Sequence, residues 1–359
     1  MGFPATRGHG TTTSMNAAIA SNAVELAGVT KRFGQHLAVD GLDLAVPAGT
    51  VYGFIGPNGS GKTTTLRMIL RMLYPESGRV AVLGRAGGSV ADDRVGYLPE
   101  ERGLYKRMKV RDLLTYYARL KGFRDCRRDI DEWLERFGLV EWADKRADAL
   151  SKGMAQKVQF ISAVVARPKL LVLDEPFTGL DPVNMEVLKD AVLALNRNGT
   201  TVIFSTHDMD IAERMCDTIF MIYRGRKVLD GTLAAIQSQY GRDTLRVRME
   251  MGSGLISGEA GESAAPEMRP DPIFSLPGVL RVNDYGRYTE LRIEPQADSQ
   301  AILRELLKRG RVEHFEVAQP SLHDIFVRIA GDCPNVRPSE NGTVLFAQED
   351  GRDAAGGRP

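Results

Sequence analysis

The sequence predicts an α/β fold: a mostly parallel sheet, an antiparallel β part before it, an inserted helical subdomain, and a small α+β C-terminal domain. Three observations point there. Compact apolar runs at 51–55, 170–173 and 201–205 alternate with helical patterns at 63–73, 185–195 and 211–215, the order that yields parallel strands covered by helices. Short β-rich segments with turn residues between them precede this alternation at 24–29 and 37–46. From 103 to 150 the strand pattern gives way to helices.

Taken along the chain, residues 1–22 are small, polar and aperiodic and predict a disordered extension. The main domain is expected over 23–240, with its helical subdomain at about 103–150. The helix at 63–73 places Leu66, Ile69, Leu70 and Leu73 on one face. In the helical block, Leu113, Leu114, Tyr117 and Leu120 share one face, and Ile130, Leu134 and Phe137 share another. A Gly-, Ser-, Glu- and Pro-rich stretch at 252–273 reads as a linker or long loop. Strand-like alternation flanks it at 244–249 and 289–293, and a helix at 301–307, a strand at 314–317 and a helix at 322–329 follow. Together these predict a small α+β domain at 241–332 and a disordered tail at 333–359. No internal repeat is present.

With 359 residues, the chain suits one large and one small domain. Hydrophobic residues at 43% supply a core, and 47 Lys+Arg against 46 Asp+Glu leave a net charge of +1. That balance gives no general reason to expect nucleic acid as partner. The three cysteines, Cys126, Cys216 and Cys333, form no CxxC pair and suit a reducing cytoplasm. Cys216, after an apolar helical stretch, is read as a small buried hydrophobe. No apolar run approaches the ~20 residues of a spanning helix, and the start of the chain lacks a signal-peptide layout. Gly2 with Thr6 fits a permissive acylation pattern and is read as a chance match. A membrane role is therefore expected to come through a partner.

The chemistry concentrates at Gly56-Pro57-Asn58-Gly59-Ser60-Gly61-Lys62-Thr63, which fits GxxxxGK[ST] between a strand and a helix. Glycines let backbone N–H groups curl around phosphate oxygens, and the helix N-terminus favours negative charge. Lys62 can reach the β- and γ-phosphates, and the Thr63 hydroxyl can take a Mg²⁺ position; Thr64 completes the expected ATP-binding run. A second element, Leu170-Leu171-Val172-Leu173-Asp174-Glu175, ends a buried strand in two carboxylates, at the strand end where ligands collect in open parallel sheets. Asp174 is the expected Mg²⁺ holder, and Glu175 the general base that polarises the attacking water. His207 ends another apolar strand and is expected to orient that water or sense the γ-phosphate.

With these motifs in place, residues 24–232 resemble the ATPase subunits of ABC transporters, with each major motif in order. Leu150-Ser151-Lys152-Gly153-Met154 falls at the family's LSGGQ signature, Gly179-Leu180-Asp181-Pro182 at its D-loop, and Gly96-Tyr97-Leu98-Pro99-Glu100 at its Q-loop. Phe33 falls at the adenine-stacking aromatic, with plain core packing as the other reading. Lys152 replaces Gly, Met154 replaces Gln, and Glu100 replaces the Q-loop Gln that faces Mg²⁺. The run 97–105 and Pro320-Ser321-Leu322-His323-Asp324-Ile325-Phe326 look like the exporter branch with separate membrane subunits and a small C-terminal domain.

The resemblance implies two ATPase subunits facing head to tail, each ATP held between the P-loop of one and Ser151, Lys152 and Gly153 of the other. One P-loop and one signature occur here, so a second copy of the chain is the simplest supply of the other set. It further implies membrane-spanning permease subunits as partners and a cytoplasmic place against the inner face of the membrane. The stretch 100–128 has ten Lys/Arg and four Asp/Glu and reads equally as a permease or lipid contact and as a solvated face. The alternative function is a soluble ABC-type ATPase acting on ribosomes or DNA. Against it stand the single cassette and the absence of sustained heptads. A kinase or GTPase reading leaves the signature unexplained and lacks an Asn-Lys-x-Asp guanine reader.

Overall fold

The computed structural model describes residues 22–87, 93–101, 103–240, 243–250, 276–284, 288–294, 296–331, 336–338 and 344–346. Residues 1–21 of the expected N-terminal extension, the linker at 252–273, Cys333 and most of the tail lie outside them, while Asn22 begins the first strand.

Strands β1 (Asn22–Phe33) and β2 (His36–Pro47) form an antiparallel ladder that closes at Phe33 opposite His36. β3 (Val51–Ile55) leads through the glycine loop into α1 (Lys62–Ile69), and β4 (Ser77–Val82), β5 (Arg85–Ala86) and β6 (Val95–Leu98) follow. The helical block supplies α2 (Val110–Leu120), α3 (Arg127–Arg136) and α4 (Lys152–Val164). Next come β7 (Leu170–Asp174), α5 (Pro182–Arg197), β8 (Thr201–Thr206) and α6 (Met209–Met215), then β9 (Thr218–Tyr223), β10 (Arg226–Gly231) and α7 (Leu233–Gln239). The C-terminal part contributes β11 (Thr244–Glu250), β12 (Val279–Asp284), β13 (Thr289–Ile293), α8 (Ser299–Arg309), β14 (Arg311–Ala318) and α9 (Leu322–Gly331). A short ladder, β15 (Val336–Pro338) with β16 (Val344–Phe346), falls within the tail.

The larger sheets run β2-β1-β4-β5, β10-β9-β3-β8-β7-β6 and β12-β13-β11-β14. β3, β7 and β8 carry no exposed residue, the continuous apolar run expected of strands covered on both faces. β3 pairs in parallel with β9, Tyr52 opposite Thr218.

The chain divides into two compact units. One comprises Met1–Thr50, Thr64–Val172 and Gly179–Val202; the other comprises Val51–Thr63, Leu173–Thr178 and Ile203–Pro359. In the first, the α2 stripe is Val110, Leu113, Leu114 and Ala118, with Tyr117 half-buried. Leu120, expected on that face, is exposed, because the helix stops there and the chain turns at Gly122 (φ +74°). The helix expected over 63–73 ends at Ile69, two residues before Arg71 enters the left-handed region at φ +58°. α4 lies beyond the helical block expected at about 103–150, over residues to which the sequence assigns no element. Its buried face includes Gln156 and Gln159 beside Phe160 and Ile161, so polar residues blur the apolar stripe.

In the second unit, two cores form. Leu245, Val247, Leu276, Leu291, Ile293, Ile302 and Leu306 make the core of the small α+β domain. α9 does not join it: Leu322, Ile325, Phe326 and Ala330 pack with Ile55, Ala212, Met221 and Tyr223 instead, with Phe326 and Tyr223 edge to face at 5.8 Å. Phe326→Ala is expected to cost about 3–5 kcal/mol of stability. Denaturant unfolding measures this, and a loss below about 1 kcal/mol would mean that α9 is peripheral to the core. Among the described residues no helix is long and apolar enough to cross a membrane.

Candidate functional site

The glycine loop follows a strand with no exposed residue and opens a helix, so its backbone is fixed at both ends. Gly56 has φ +158°, and a Cβ there would lie 2.2 Å from the Ile222 carbonyl oxygen, so no side chain fits. Ile222 belongs to β9, whose turn into β10 places both Arg224 (φ +48°) and Gly225 (φ +77°) in the left-handed region, as a two-residue hairpin requires. Gly225 N donates to Ser60 O at 2.9 Å, tying that hairpin to the loop. Ser60 Oγ is buried and has no hydrogen-bond partner, a polar atom left for a ligand.

Lys62 is 6% exposed, and its Nζ donates to Gly56 O at 2.7 Å and Pro57 O at 3.1 Å. The same ammonium lies 3.9 Å from Glu175 Oε1, so the buried charge has carbonyl dipoles and a carboxylate around it. Thr63 Oγ1 donates to Asp174 Oδ1 at 3.4 Å. A hydroxyl and a carboxylate side by side are hard oxygen donors that fit Mg²⁺. Among the described residues no group of three or more His, Cys, Asp or Glu is placed to hold a metal ion.

The carboxylate pair is held by β8. Ser205 Oγ donates to Asp174 Oδ1 at 2.5 Å and accepts from Glu175 N at 3.1 Å. Glu175 sits at φ +49°, a conformation that costs a non-glycine residue energy and persists only where its surroundings enforce it. Its Oε2 accepts from Thr178 Oγ1 at 3.1 Å, and its Oε1 lies 3.0 Å from His207 Nδ1. The carboxylate is 7% exposed, whereas the imidazole is 52% exposed. Lys62, Thr63, Asp174, Glu175 and His207 therefore converge on one constellation, which can cradle phosphate and hold a water against a base. Ser205 and Thr178 were missed by sequence reasoning. A serine near the end of an apolar strand carries no signal of its own; only the adjacency of β8 and β7 gives it its partners.

Phe33, Glu100, Ser151, Lys152, Gly153 and Asp181 belong to the other unit. Ser151 caps α4, its Oγ accepting from Met154 N at 3.3 Å. A Cβ on Gly153 would come within 3.3 Å of Asn184 Nδ2. Asn184 in turn donates from its backbone N–H to Asp181 Oδ1 at 3.0 Å, and its backbone and side-chain donors hold the exposed Asp181 carboxyl below its ordinary range. The signature and D-loop segments thus share one surface of that unit. Phe33 is 47% exposed, with Lys31 Nζ 5.5 Å from its ring centroid, which removes the core-packing reading. Glu100 follows β6 and is exposed. Cys216, half-buried, packs against Gly53, and burial pushes its thiol well above the ordinary range.

Comparison with known proteins agrees with this geometry. The ABC transporter family model matches residues 39–178, and the model of the ATP-binding protein DrrA1-3-like C-terminal domain matches 231–330. The Uncharacterized ABC transporter ATP-binding protein YhaQ of Bacillus subtilis is 41% identical, over 84% of this chain and 97% of its own length. The Nod factor export ATP-binding protein I of Rhizobium sp. is 34% identical, over 86% and 97%. The daunorubicin/doxorubicin resistance ATP-binding protein DrrA of Streptomyces peucetius is 31% identical, over 89% and 96%. Among solved structures, an ATP binding subunit of an ABC transporter aligns with a TM-score of 0.58 at 28% identity, covering 61% of this chain and 93% of that one. The cbiO1 structure of Clostridium perfringens, 24% identical at a TM-score of 0.54 over 61% and 92%, shares the fold.

Proposed function

The chain belongs to the family of ABC transporter ATP-binding proteins, which hydrolyse ATP, and from that premise we propose that it is the motor subunit of an exporter acting through separate membrane permease subunits. The observation that carries the proposal is the Lys62–Glu175–His207 constellation beside Thr63 and Asp174. Export itself is supported by two relatives, a Nod factor export protein and a daunorubicin/doxorubicin resistance protein. The ATPase part is read as 23–240 and the small C-terminal domain as 241–332.

In this reading ATP lies in the loop 56–63. Lys62 transfers its donors from the Gly56 and Pro57 carbonyls to the phosphates. Thr63 and Asp174 would hold Mg²⁺, which when bound neutralises phosphate charge. Glu175 takes a proton from the attacking water as its oxygen bonds to the γ-phosphorus and the bond to ADP breaks. His207, bonded to Glu175, orients that carboxylate and senses the γ-phosphate. Ser151, Lys152 and Gly153, at the exposed start of α4, meet the nucleotide on a second copy of the chain, an arrangement a helix N-terminus favours. The dimer closes on ATP, opens after hydrolysis, and so moves the permease from the inner face of the membrane.

A mild-detergent pull-down of the tagged chain from native membranes tests the transport reading. A co-purifying protein with about six apolar spans of ~20 residues is the expected outcome. Ribosomal or DNA-bound partners with no spanning protein would favour the soluble-machine alternative.

A further inference from the structure

We propose that α9 positions α6, and through it His207, with Glu213 as the residue that joins the two helices. The inference rests on the role given to His207 above. α6 has 7 residues and starts two positions after His207; so short a helix is not stable on its own. Its first turn is set locally, since Asp208 Oδ1 accepts from Ile211 N at 3.1 Å and Asp208 N donates to Thr206 Oγ1 at 3.0 Å.

The rest of α6 is held from the C-terminal region. Ala212, fully buried, shares a core with Leu322, Ile325 and Phe326. Glu213 accepts a hydrogen bond from the backbone N–H of Leu322, the first residue of α9. Two later donors of this first turn, those of Asp324 and Ile325, are used inside the turn. Asp324 N donates to Ser321 Oγ at 3.1 Å, with Ser321 N donating back to Asp324 Oδ2 at 3.1 Å, and Ile325 N donates to Ser321 O at 3.0 Å. This is a reciprocal cap, and it leaves the Leu322 N–H for Glu213. A side chain of α6 thus satisfies an end group of α9 that its own cap does not.

The other end of α9 is fixed as well. Arg328 Nη2 donates to Asp243 Oδ1 at 2.9 Å and Nη1 to Asp243 Oδ2 at 3.1 Å, a two-pronged pair just ahead of β11. Gln237 Nε2 donates to Pro320 O at 3.1 Å, setting the turn into α9. The contacts therefore run without a break from the start of the small domain's sheet, through Arg328, α9, Glu213 and α6, to His207 and its 3.0 Å contact with Glu175. Every member lies in one compact unit. A shift of α9 moves the imidazole relative to the carboxylate it orients.

Steady-state ATPase kinetics of the full chain test this, with Glu213→Ala and Glu213→Gln each made alone and with His207→Ala. Glu213→Ala should lower kcat about tenfold and leave KM for ATP within about twofold. Glu213→Gln, which keeps an acceptor of the same reach, should stay within about twofold of the parent. In the His207→Ala background, Glu213→Ala should add less than about a further twofold loss, because both act through one group. An unchanged kcat in folded Glu213→Ala overturns the proposal, as does an undiminished tenfold loss in the His207→Ala background. A parental rate for His207→Ala alone would instead remove His207 from the mechanism, and this inference with it. Should Glu213→Ala not fold, Arg328→Gln releases the other end of α9: the same drop in kcat is expected, and an unchanged kcat counts against the proposal.

Discussion

Lys62→Ala is expected to weaken ATP binding by about 100-fold, since charge-assisted hydrogen bonds are worth roughly 1.5–3 kcal/mol each and a phosphate takes more than one. The structure shows why no other group substitutes. The Lys62 ammonium is 6% exposed and sits between the Gly56 and Pro57 carbonyls and Glu175, already stripped of water. Moving it from neutral carbonyls to phosphate oxygens is favourable without a fresh cost of drying the charge. Alanine leaves the carbonyls and the carboxylate facing the phosphates without the Lys62 ammonium between them. Calorimetric titration with a non-hydrolysable ATP analogue measures the effect; affinity within about threefold of the parent would contradict the assignment.

Glu175→Gln should bind ATP with near-parental affinity yet turn over about 10²–10⁴-fold more slowly, the range supplied by a general base. Glutamine preserves the reach of the side chain and can still accept from Thr178, whose hydroxyl bonds the carboxylate at 3.1 Å, but it cannot take a proton from water. Held at the ATP-bound stage, the variant should accumulate dimers in ATP, visible by size exclusion with light scattering. The two readouts separate two proposals. Near-parental turnover would dismiss Glu175 as base, whereas slow turnover without ATP-dependent dimers would leave the base in place and remove the head-to-tail closure.

Much of the fold was legible because its signals are local. Val51 to Ile55 and Leu170 to Asp174 are apolar at every or nearly every position, and strands covered on both faces need that. The glycine loop was readable for the same reason: backbone N–H groups can line a phosphate only where side chains are missing, as at Gly56. α4 was not legible, because buried Gln156 and Gln159 interrupt its apolar stripe. The early stop of α1 was also missed, since nothing in the residue type of Arg71 announces a φ of +58°.

By itself, the sequence determined the α/β order of elements, the phosphate loop and the chemistry available at Asp174, Glu175 and His207, since each follows from residue type and short spacing. Tertiary structure alone decided which of these groups meet. Ser205 grips Asp174 and Glu175 because β8 lies beside β7. Phe33 is exposed although an aromatic in a β segment reads equally as core. α9 lies within the stretch 241–332 read as the small domain, yet packs with Ile55 and Ala212. The physical reason is common to all three: hydrogen-bond reach and burial depend on neighbours distant in the chain, and composition and periodicity carry no record of distance.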